Sequence, residues 1–563
     1  MTTDQTTETG GEPLLIGPLL RRIAGTKATV WVETAHAAQV EVRAGDAGGR
    51  AATFSAFGHH YALVVVEGLT PGSSTPYDVY VDGEHAWPPA DYPYPRSVIR
   101  TRADAEGATT ARLVFGSCRE TTQHATARRL PPDALDAYAR RLMRDRDDPE
   151  AWPDMLVLLG DQVYADKTSA TVRQQLKERT LPHHGVRDDV QTYDEYTKLY
   201  LESWRDPEIR WLFSTVPAVM MFDDHEIIDD WNSSAAWRAD MRRQPWWAER
   251  VMNGLASYWV YQHMGNLSPD LLQDDALYPK VAAAGDATAI LRDFASRVDQ
   301  EADFGHDPES WKSRQYQWSF AVDLGRTRLV VLDNRCSRVL DPAHRAMLPA
   351  AEWSWFLSQA HGSSFDHLVV GSSLPWLMPP AIHHLEAWNE RLSASRRPRV
   401  AAFGEMVRRA VDLEHWAAFG TSFEALADLF RVVGRSSTGP ASISVLSGDV
   451  HHSYVARAEL GRDVTTPVHQ LTCSPIHNQV PSFMRPLMRV GWAGWAAVIA
   501  HGLARVSGAR TPSLRWRKTG DGPYFGNAVA TLVHRDLEAR VLIEGTTPDG
   551  GLDVVADVVL TTR

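Results

Sequence analysis

A chain of 563 residues is too long for one compact domain, and at roughly 100 to 200 residues per unit it reads as one large core plus a small module. Its 44% hydrophobic and 23% charged residues match ordinary globular usage and exclude a disordered chain, a collagen and a coiled coil. With 58 Lys and Arg against 70 Asp and Glu the net charge is −12, the wrong sign for holding nucleic acid by counterion release, so no nucleic-acid partner is expected.

Residues 1–13 are polar and acidic and read as a disordered N-terminus, without the basic start and apolar stretch of a secretory signal. Cys118, Cys336 and Cys473 are too few and too far apart for a disulfide framework, and a reducing, cytoplasmic location is expected. Arg21 and Arg22 form a pair with no apolar core behind it and read as surface charge. Residues 14–104 read as a small all-β sandwich, because Ala28–Thr34, Gln39–Arg43 and Tyr61–Val66 are short β-rich runs bounded by turn residues. Tyr77, Val79 and Val81 fall on one face behind Leu69-Thr-Pro-Gly, which resembles the tyrosine corner of fibronectin type III domains. A proline-rich connector, Trp87 to Pro95, leads to a boundary near residue 105.

Beyond it, six short apolar runs end abruptly in small or polar residues: at Gly116-Ser117-Cys118, Gly160-Asp161, Asp223-Asp224, Asp333-Asn-Arg335, Gly371-Ser-Ser373 and Gly448-Asp449. Such runs suit strands buried on both faces, and the helical patterns between them predict a layered α/β domain over residues 105–563. Ligands in such sheets sit at the carboxyl ends of the strands. Pro131 to Arg146 reads as a surface helix with a basic face, and residues 233–315 as a helical insertion. Trp237, Trp246, Trp247 and Trp259 within it either pack a core or line a cleft for an organic group. Val490 to Ala504 is apolar but shorter than the roughly 20 residues of a membrane span, so it reads as a core helix or a hydrophobic lid, and no transmembrane segment is expected.

The polar ends carry metal-ligand chemistry. Gly160-Asp161-Gln-Val-Tyr164 can aim a carboxylate and a phenol into one crevice, where a phenolate selects a trivalent metal such as iron. Phe222 to Trp231 sets five carboxylates beside His225, a density of charge that calls for a cation or a cluster of arginines. Ser447 to Tyr454 offers Asp449 and His451 two residues apart, with His452 either a core residue or a substrate contact. Cys118 is either an inert buried thiol or a thiolate ligand, and Arg119 and Arg335 either meet a phosphate or pair with the acidic cluster.

Together these segments resemble the PhoD-like alkaline phosphatases of the calcineurin-like metallophosphoesterase superfamily. The resemblance implies a four-layer αββα sandwich preceded by the small β-domain. It also implies a metal centre of Fe3+ and a divalent cation, calcium by the family's pattern, with manganese, magnesium or zinc as alternatives. Cys118, Asp161 and Tyr164 fall on iron-side positions, Asp224 on a position that is asparagine in the wider superfamily, and Asp449 and His451 on the Gly-x-x-His motif. The implied activity is hydrolysis of phosphate mono- or diesters, of small molecules or lipids, by metal-bound hydroxide. His225 would stabilise or protonate the leaving group, and Arg119 and Arg335 would grip phosphate oxygens. Exported relatives carry a twin-arginine signal that this chain lacks, so an intracellular substrate is expected. The competing readings are a non-catalytic, metal-stabilised binding protein and a hydrolase using Cys118 or Ser117 as nucleophile.

Overall fold

Alternation of buried and exposed side chains, as in Val40, Val42 and Ala44 against Gln39 and Arg43, shapes the first hundred residues into antiparallel strands. The computed structural model describes residues 12–103, 107–126, 130–177, 188–304, 316–362 and 364–562. The expected boundary near residue 105 and the end of the insertion at 315 lie outside the described residues, as does most of the expected N-terminal tail. The module contains β1 (Leu14–Ala24), β2 (Lys27–Thr34), β3 (Gln39–Ala44), β4 (Ala47–Ala52), β5 (Phe54–Ala56), β6 (His59–Val66), β7 (Ser74–Pro76), β8 (Asp78–Val81), β9 (Glu84–Trp87) and β10 (Val98–Arg100). Sheets ordered β1-β2-β6-β5 and β4-β3-β8-β9 pack face to face over Val30, Val32, Val40, Val42, Val64 and Trp87.

The outer face of the first of these sheets is not solvated. Leu19, Trp31, Tyr61 and Leu63 join a core built with helices of the larger body. Polar pegs fix that contact: the Trp31 indole donates to Val260 O at 3.0 Å, and the Tyr77 hydroxyl donates to Ser214 O at 2.6 Å. Tyr77 therefore reaches across to helix Pro207–Thr215 rather than back to its own strand, unlike the corner it resembles. The Arg21-Arg22 pair corrects the expectation of surface charge. Arg21 is 0% exposed and donates to Ala218 O, Tyr261 O, Gln262 O and Asn266 Oδ1, while Arg22 donates to Asn266 O. A guanidinium can be buried there because the carbonyls of a strand start and a helix end converge on its fork.

All six apolar runs become parallel strands. β11 (Thr110–Gly116), β12 (Met155–Leu158) and β13 (Ala218–Met220) lie in one sheet, ordered β13-β12-β11 and extended by antiparallel β21 (Ala528–Arg535), β22 (Glu538–Thr546) and β23 (Leu552–Thr562). The second sheet is ordered β14-β15-β16-β17-β19-β18-β20, and its parallel members are β15 (Thr327–Val331), β16 (His367–Gly371), β17 (Ser442–Ser447) and β19 (Val468–Thr472). β14 (Phe320–Leu324), β18 (Ser453–Glu459) and β20 (Arg515–Tyr524) run antiparallel at its ends. Leu113, Phe115, Val157 and Leu159 interleave with Leu329, Val331, Val369 and Leu446 between the sheets. Val114, Leu156 and Leu158 face the opposite way, onto helices. Burial on both faces is why these strands read as unbroken apolar runs.

Helices cover both outer faces and complete the four layers. Against the first sheet lie α1 (Ala134–Arg144), α2 (Tyr193–Trp204) and α3 (Pro207–Thr215), followed by the helical insertion with α4 (Trp247–Tyr258) and α5 (Thr288–Phe304). α2 starts at a reciprocal cap in which Thr192 and Glu195 satisfy each other's backbone amides. Trp237, Trp246, Trp247 and Trp259 are all buried and pack in the core of the larger body. Over the second sheet lie α6 (Pro380–Ser393) and α7 (Gly420–Arg435), the latter burying Phe423, Leu426 and Phe430. The apolar stretch after Val490 is not a core helix. It forms α9 (Gly494–Ser507), preceded by α8 (Met484–Gly491), on the outside of α6. No helix among the described residues is long and apolar enough to cross a membrane.

Replacing Arg21 strands buried carbonyls at the joint between module and body. Arg21→Met is expected to lower stability by about 3 kcal/mol or more in chemical denaturation, since buried acceptors left unpaired cost roughly 1–3 kcal/mol each. An unchanged denaturation midpoint would contradict the role assigned to this residue.

Candidate metal centre

The parallel strands of both sheets stop at the same end of the sandwich, and the turns that follow are tight. Cys118, Asp161, Asp449 and His451 have φ values of 60°, 54°, 66° and 50°, in the left-handed region that residues with a Cβ avoid. Each such residue costs on the order of 1 kcal/mol, and strain of this kind gathers at functional sites. Two glycines let the turns close on each other. A Cβ on Gly160 would lie 2.5 Å from Asp223 Cβ, and one on Gly448 would lie 1.9 Å from Ser117 Oγ. The ends of β12 and β13 thus touch, and so do the ends of the two sheets.

These turns bring carboxylates together. Asp161, Asp224 and His225 offer ligand atoms within 4.8 Å of one another, and Asp223, Asp224 and Asp449 form a second such group sharing Asp224. The Tyr164 hydroxyl donates to Asp161 Oδ2 at 3.2 Å and accepts from Asn478 Nδ2 at 3.0 Å. Cys118 Sγ lies 3.0 Å from Ser117 Oγ and accepts from Ser474 Oγ at 3.2 Å. His451 follows Asp449 by two residues, and its backbone amide is held by Ser474 Oγ at 3.2 Å. Burial pushes the Cys118 thiol and the Tyr164 phenol well above their ordinary values, and nearby Asp161 adds to both. The hydroxyl donors on Cys118 and the amide of Asn478 on Tyr164 act the other way, favouring the anions.

The carboxylates are short of partners. Asp161 Oδ1 and Asp223 Oδ2 are buried and accept no hydrogen bond, and Asp224 Oδ1 has the Arg335 guanidinium 3.3 Å away. Burial, with neighbouring carboxylates adding, raises Asp161 and Asp223 well above the usual range and Asp224 to about 6. Acceptors of this kind, beside a thiol and a phenol that ionise only next to a positive charge, fit metal cations. Part of the charge is met internally by Arg335, 0% exposed, which pairs with Asp223, with Glu414 at 2.6 Å, with Asp224 at 3.3 Å and with Asp449 at 3.5 Å. Burial opposes the Arg335 charge, but those carboxylates outweigh it and hold its pKa up. His415 bridges Glu386 at 2.7 Å and Asp449 Oδ2 at 3.2 Å, and against burial it brings Asp449 down to about 2.

Arg335 and Arg119, the two residues expected to grip phosphate, are both buried and held by protein partners. Arg119 is 2% exposed, its Nε on Asp133 at 2.8 Å and its Nη1 on Ser203 Oγ at 2.7 Å. Arg335 thus makes the pairs with the acidic cluster that were the alternative reading, whereas the partners of Arg119 lie outside that cluster. Ser117 and Cys118 are 0% exposed, and a thiol pushed upward by burial is a poor nucleophile, which argues against the covalent reading. His225, the expected acid, has its Nδ1 on Asp166 at 2.8 Å and its ring stacked on Tyr164 at 4.3 Å. Burial works against its charge, but Asp166 and Asp161 raise it well above the ordinary imidazole value.

Several residues here escaped the sequence reading. Glu226 accepts from the amides of Asp161, Gln162 and Asp223 and so ties two turns together. Asp166, Glu414, His415 and Asn478 sit in loops with no apolar run to flag them, although Glu414-His415 is an acid and base pair legible in the string. Lys167 is exposed at the rim, its Nζ 6.0 Å from the Tyr164 ring centroid. A cleft of about 860 Å³ opens at the opposite ends of β11 and β12, lined by Arg22, Arg112, Asp154 and Arg535, and shares no residue with this cluster.

A family model described as PhoD-like phosphatase matches residues 129–524, and one described as a domain of unknown function (DUF7800) matches residues 11–99. The solved "Structure of PhoD" has a TM-score of 0.58 to this chain at 12% identity, covering 98% of this chain and 93% of that one, which shows a shared fold. The type III pullulan hydrolase from Thermococcus kodakarensis has a TM-score of 0.16 at 9% identity, with 94% and 93% coverage, which carries no likeness of fold. None of the curated proteins matches the sequence.

Removing the internal counter-charge leaves buried carboxylates facing each other. Arg335→Met is expected to destabilise the metal-free protein by about 3–5 kcal/mol, read from its thermal or urea midpoint. Retention of the wild-type midpoint would show that the guanidinium does not hold this cluster.

Proposed function

The chain belongs to the PhoD-like phosphatase family, and on that premise we propose a metal-dependent phosphoric ester hydrolase working at the strand-end cluster. The observation that carries the reading is the pair of buried carboxylate oxygens without donors at Asp161 and Asp223, beside Cys118, Tyr164 and Asp224. Cys118, Tyr164, Asp161 and His451 would hold Fe3+, the thiolate and phenolate favouring the trivalent ion, and Asp224 and Asp449 would hold a divalent cation such as calcium. Such a pair supplies the charge that polarises a phosphoryl group and lowers the pKa of a water to near 7.

The chain's own residues do the rest. Asp161, which accepts from Tyr164 and lies within 4.8 Å of an Asp224 oxygen, would be shared by both sites. His225, held by Asp166, whose charge raises its pKa, would give a proton to the leaving oxygen, a step typically worth 10² to 10⁴-fold. Arg335 restrains Asp223, Asp224 and Asp449 before any substrate arrives, so their geometry is set in advance. Lys167, exposed beside Tyr164, would meet an incoming phosphate. The reading of Trp237, Trp246, Trp247 and Trp259 as lining a cleft for an organic group loses support, since all four are buried in the core.

Asp161→Asn is expected to lower turnover of p-nitrophenyl phosphate and of its bis ester by at least ~100-fold with an unchanged far-UV circular dichroism spectrum. An active Asp161→Asn enzyme would remove the shared-carboxylate scheme. Iron held by Tyr164 should colour the purified protein through phenolate-to-iron charge transfer, and Tyr164→Phe should abolish that band. A colourless, iron-free and fully active wild-type preparation would reject the iron assignment.

A further inference from the structure

α8 and α9 invert the usual order of a surface helix pair. In α9 the small residues Ala500 and Ala504 face inward and are 5% and 3% exposed, and His501 packs on His384 of α6 with ring centroids 4.8 Å apart. The bulky residues point out: Trp495, Val498, Ile499, Leu503 and Val506 follow helical spacing on one face, with Val498 71% and Val506 90% exposed. Phe483, just before α8, and Leu487 within it continue the face at 76% and 58% exposure. A folded body seldom leaves so continuous an apolar surface to water.

The charge around it is equally unusual. Between Asp463 and Asp521 the sequence has no acidic residue, yet it contains Arg485, Arg489, Arg505, Arg510, Arg515, Arg517 and Lys518, in a chain whose net charge is −12. Arg505 is exposed on the same helix as the apolar face, and Arg485 and Arg489 lie over the Phe525 ring at 5.8 and 5.1 Å. A second copy of this chain docking symmetrically would bring these arginines against their own counterparts, which like-charge repulsion opposes. An anionic surface with an apolar layer beneath it satisfies both features. α9 has 14 residues, roughly 21 Å of helix, too short for the about 30 Å hydrocarbon core of a bilayer but suited to lying in its interface.

We propose that α8 and α9 dock this protein on an anionic lipid bilayer, apolar face in the acyl boundary and arginines among the headgroups. The face is joined to the metal-centre turn: Trp492 packs on Tyr454 at 5.1 Å, and Phe525, under Arg489, lies 5.9 Å from His452, the residue after His451. Docking would therefore hold the turn that carries Asp449 and His451 close to the membrane. The binding claim stands apart from the phosphatase reading, because it is measured without turnover.

The test is co-sedimentation of the full-length protein with vesicles of phosphatidylcholine alone or with about one-third phosphatidylglycerol, at low and high salt. The wild type should pellet with the anionic vesicles and stay in solution with the neutral ones, and salt should weaken the binding. Trp495→Ser/Ile499→Ser should lose at least ~10-fold of the partitioning with an unchanged melting temperature, and Arg505→Gln/Arg510→Gln should lose ~5-fold or more. The second variant decides the matter should the first fail to fold. A wild type that remains in solution with every vesicle, or variants that bind as it does, would overturn the proposal. So would a concentration-dependent dimer, seen by sedimentation velocity, that the serine substitutions abolish.

Discussion

Repulsion among buried anions is the constraint around which this molecule is arranged. Asp161, the Asp223-Asp224 pair and Asp449 arrive from three separate turns, and the fold brings them together although each would be more stable in water. Arg335 answers part of that repulsion from below, and Glu414, shared by Arg335 and Arg338, anchors the guanidinium in turn. The price in backbone strain is visible at Cys118, Asp161, Asp449 and His451, whose left-handed conformations fall in the turns at the strand ends. A rigid double sheet is the part of the structure able to sustain both costs, since its interior between Phe115, Val157, Val331 and Leu446 has no room to relax.

Much of this was legible because it is local. A strand buried on both faces announces itself as an apolar run, and the residue after the run must lie at the sheet's carboxyl edge, so Cys118, Asp161, Asp224 and Asp449 could be placed before any coordinates. The direction of a guanidinium is not local. Arg119 and Arg335 stand beside the same strand ends, yet whether they face the rim or the floor depends on Asp133, Ser203, Asp223 and Glu414, which are distant in sequence. The same is true of Glu226, whose three amide partners exist only once two turns meet.

Tertiary packing also decided what composition could not. Four tryptophans of the insertion look the same on paper whether they pack or bind, and the helices around them supplied enough apolar surface to bury every one. The stretch after Val490 went the other way. Its apolar character suggested an interior place, but α6 offers it only a seat for alanines, and the bulky side chains are left outside. The small β-module was foreseen as a sandwich, while its engagement with the body was not, because Arg21, Trp31 and Tyr77 carry no local mark of having a remote carbonyl as partner.

That engagement reaches further than a domain contact. Arg21 binds the carbonyl of Ala218, the first residue of β13, and β13 leads within a few residues to Asp223 and Asp224. Excision of the amino-terminal sheet pair would leave the base of that strand without its fastening, so the two halves are inseparable as working parts. A minimal enzyme cut from the larger half alone would begin with its own foundation missing.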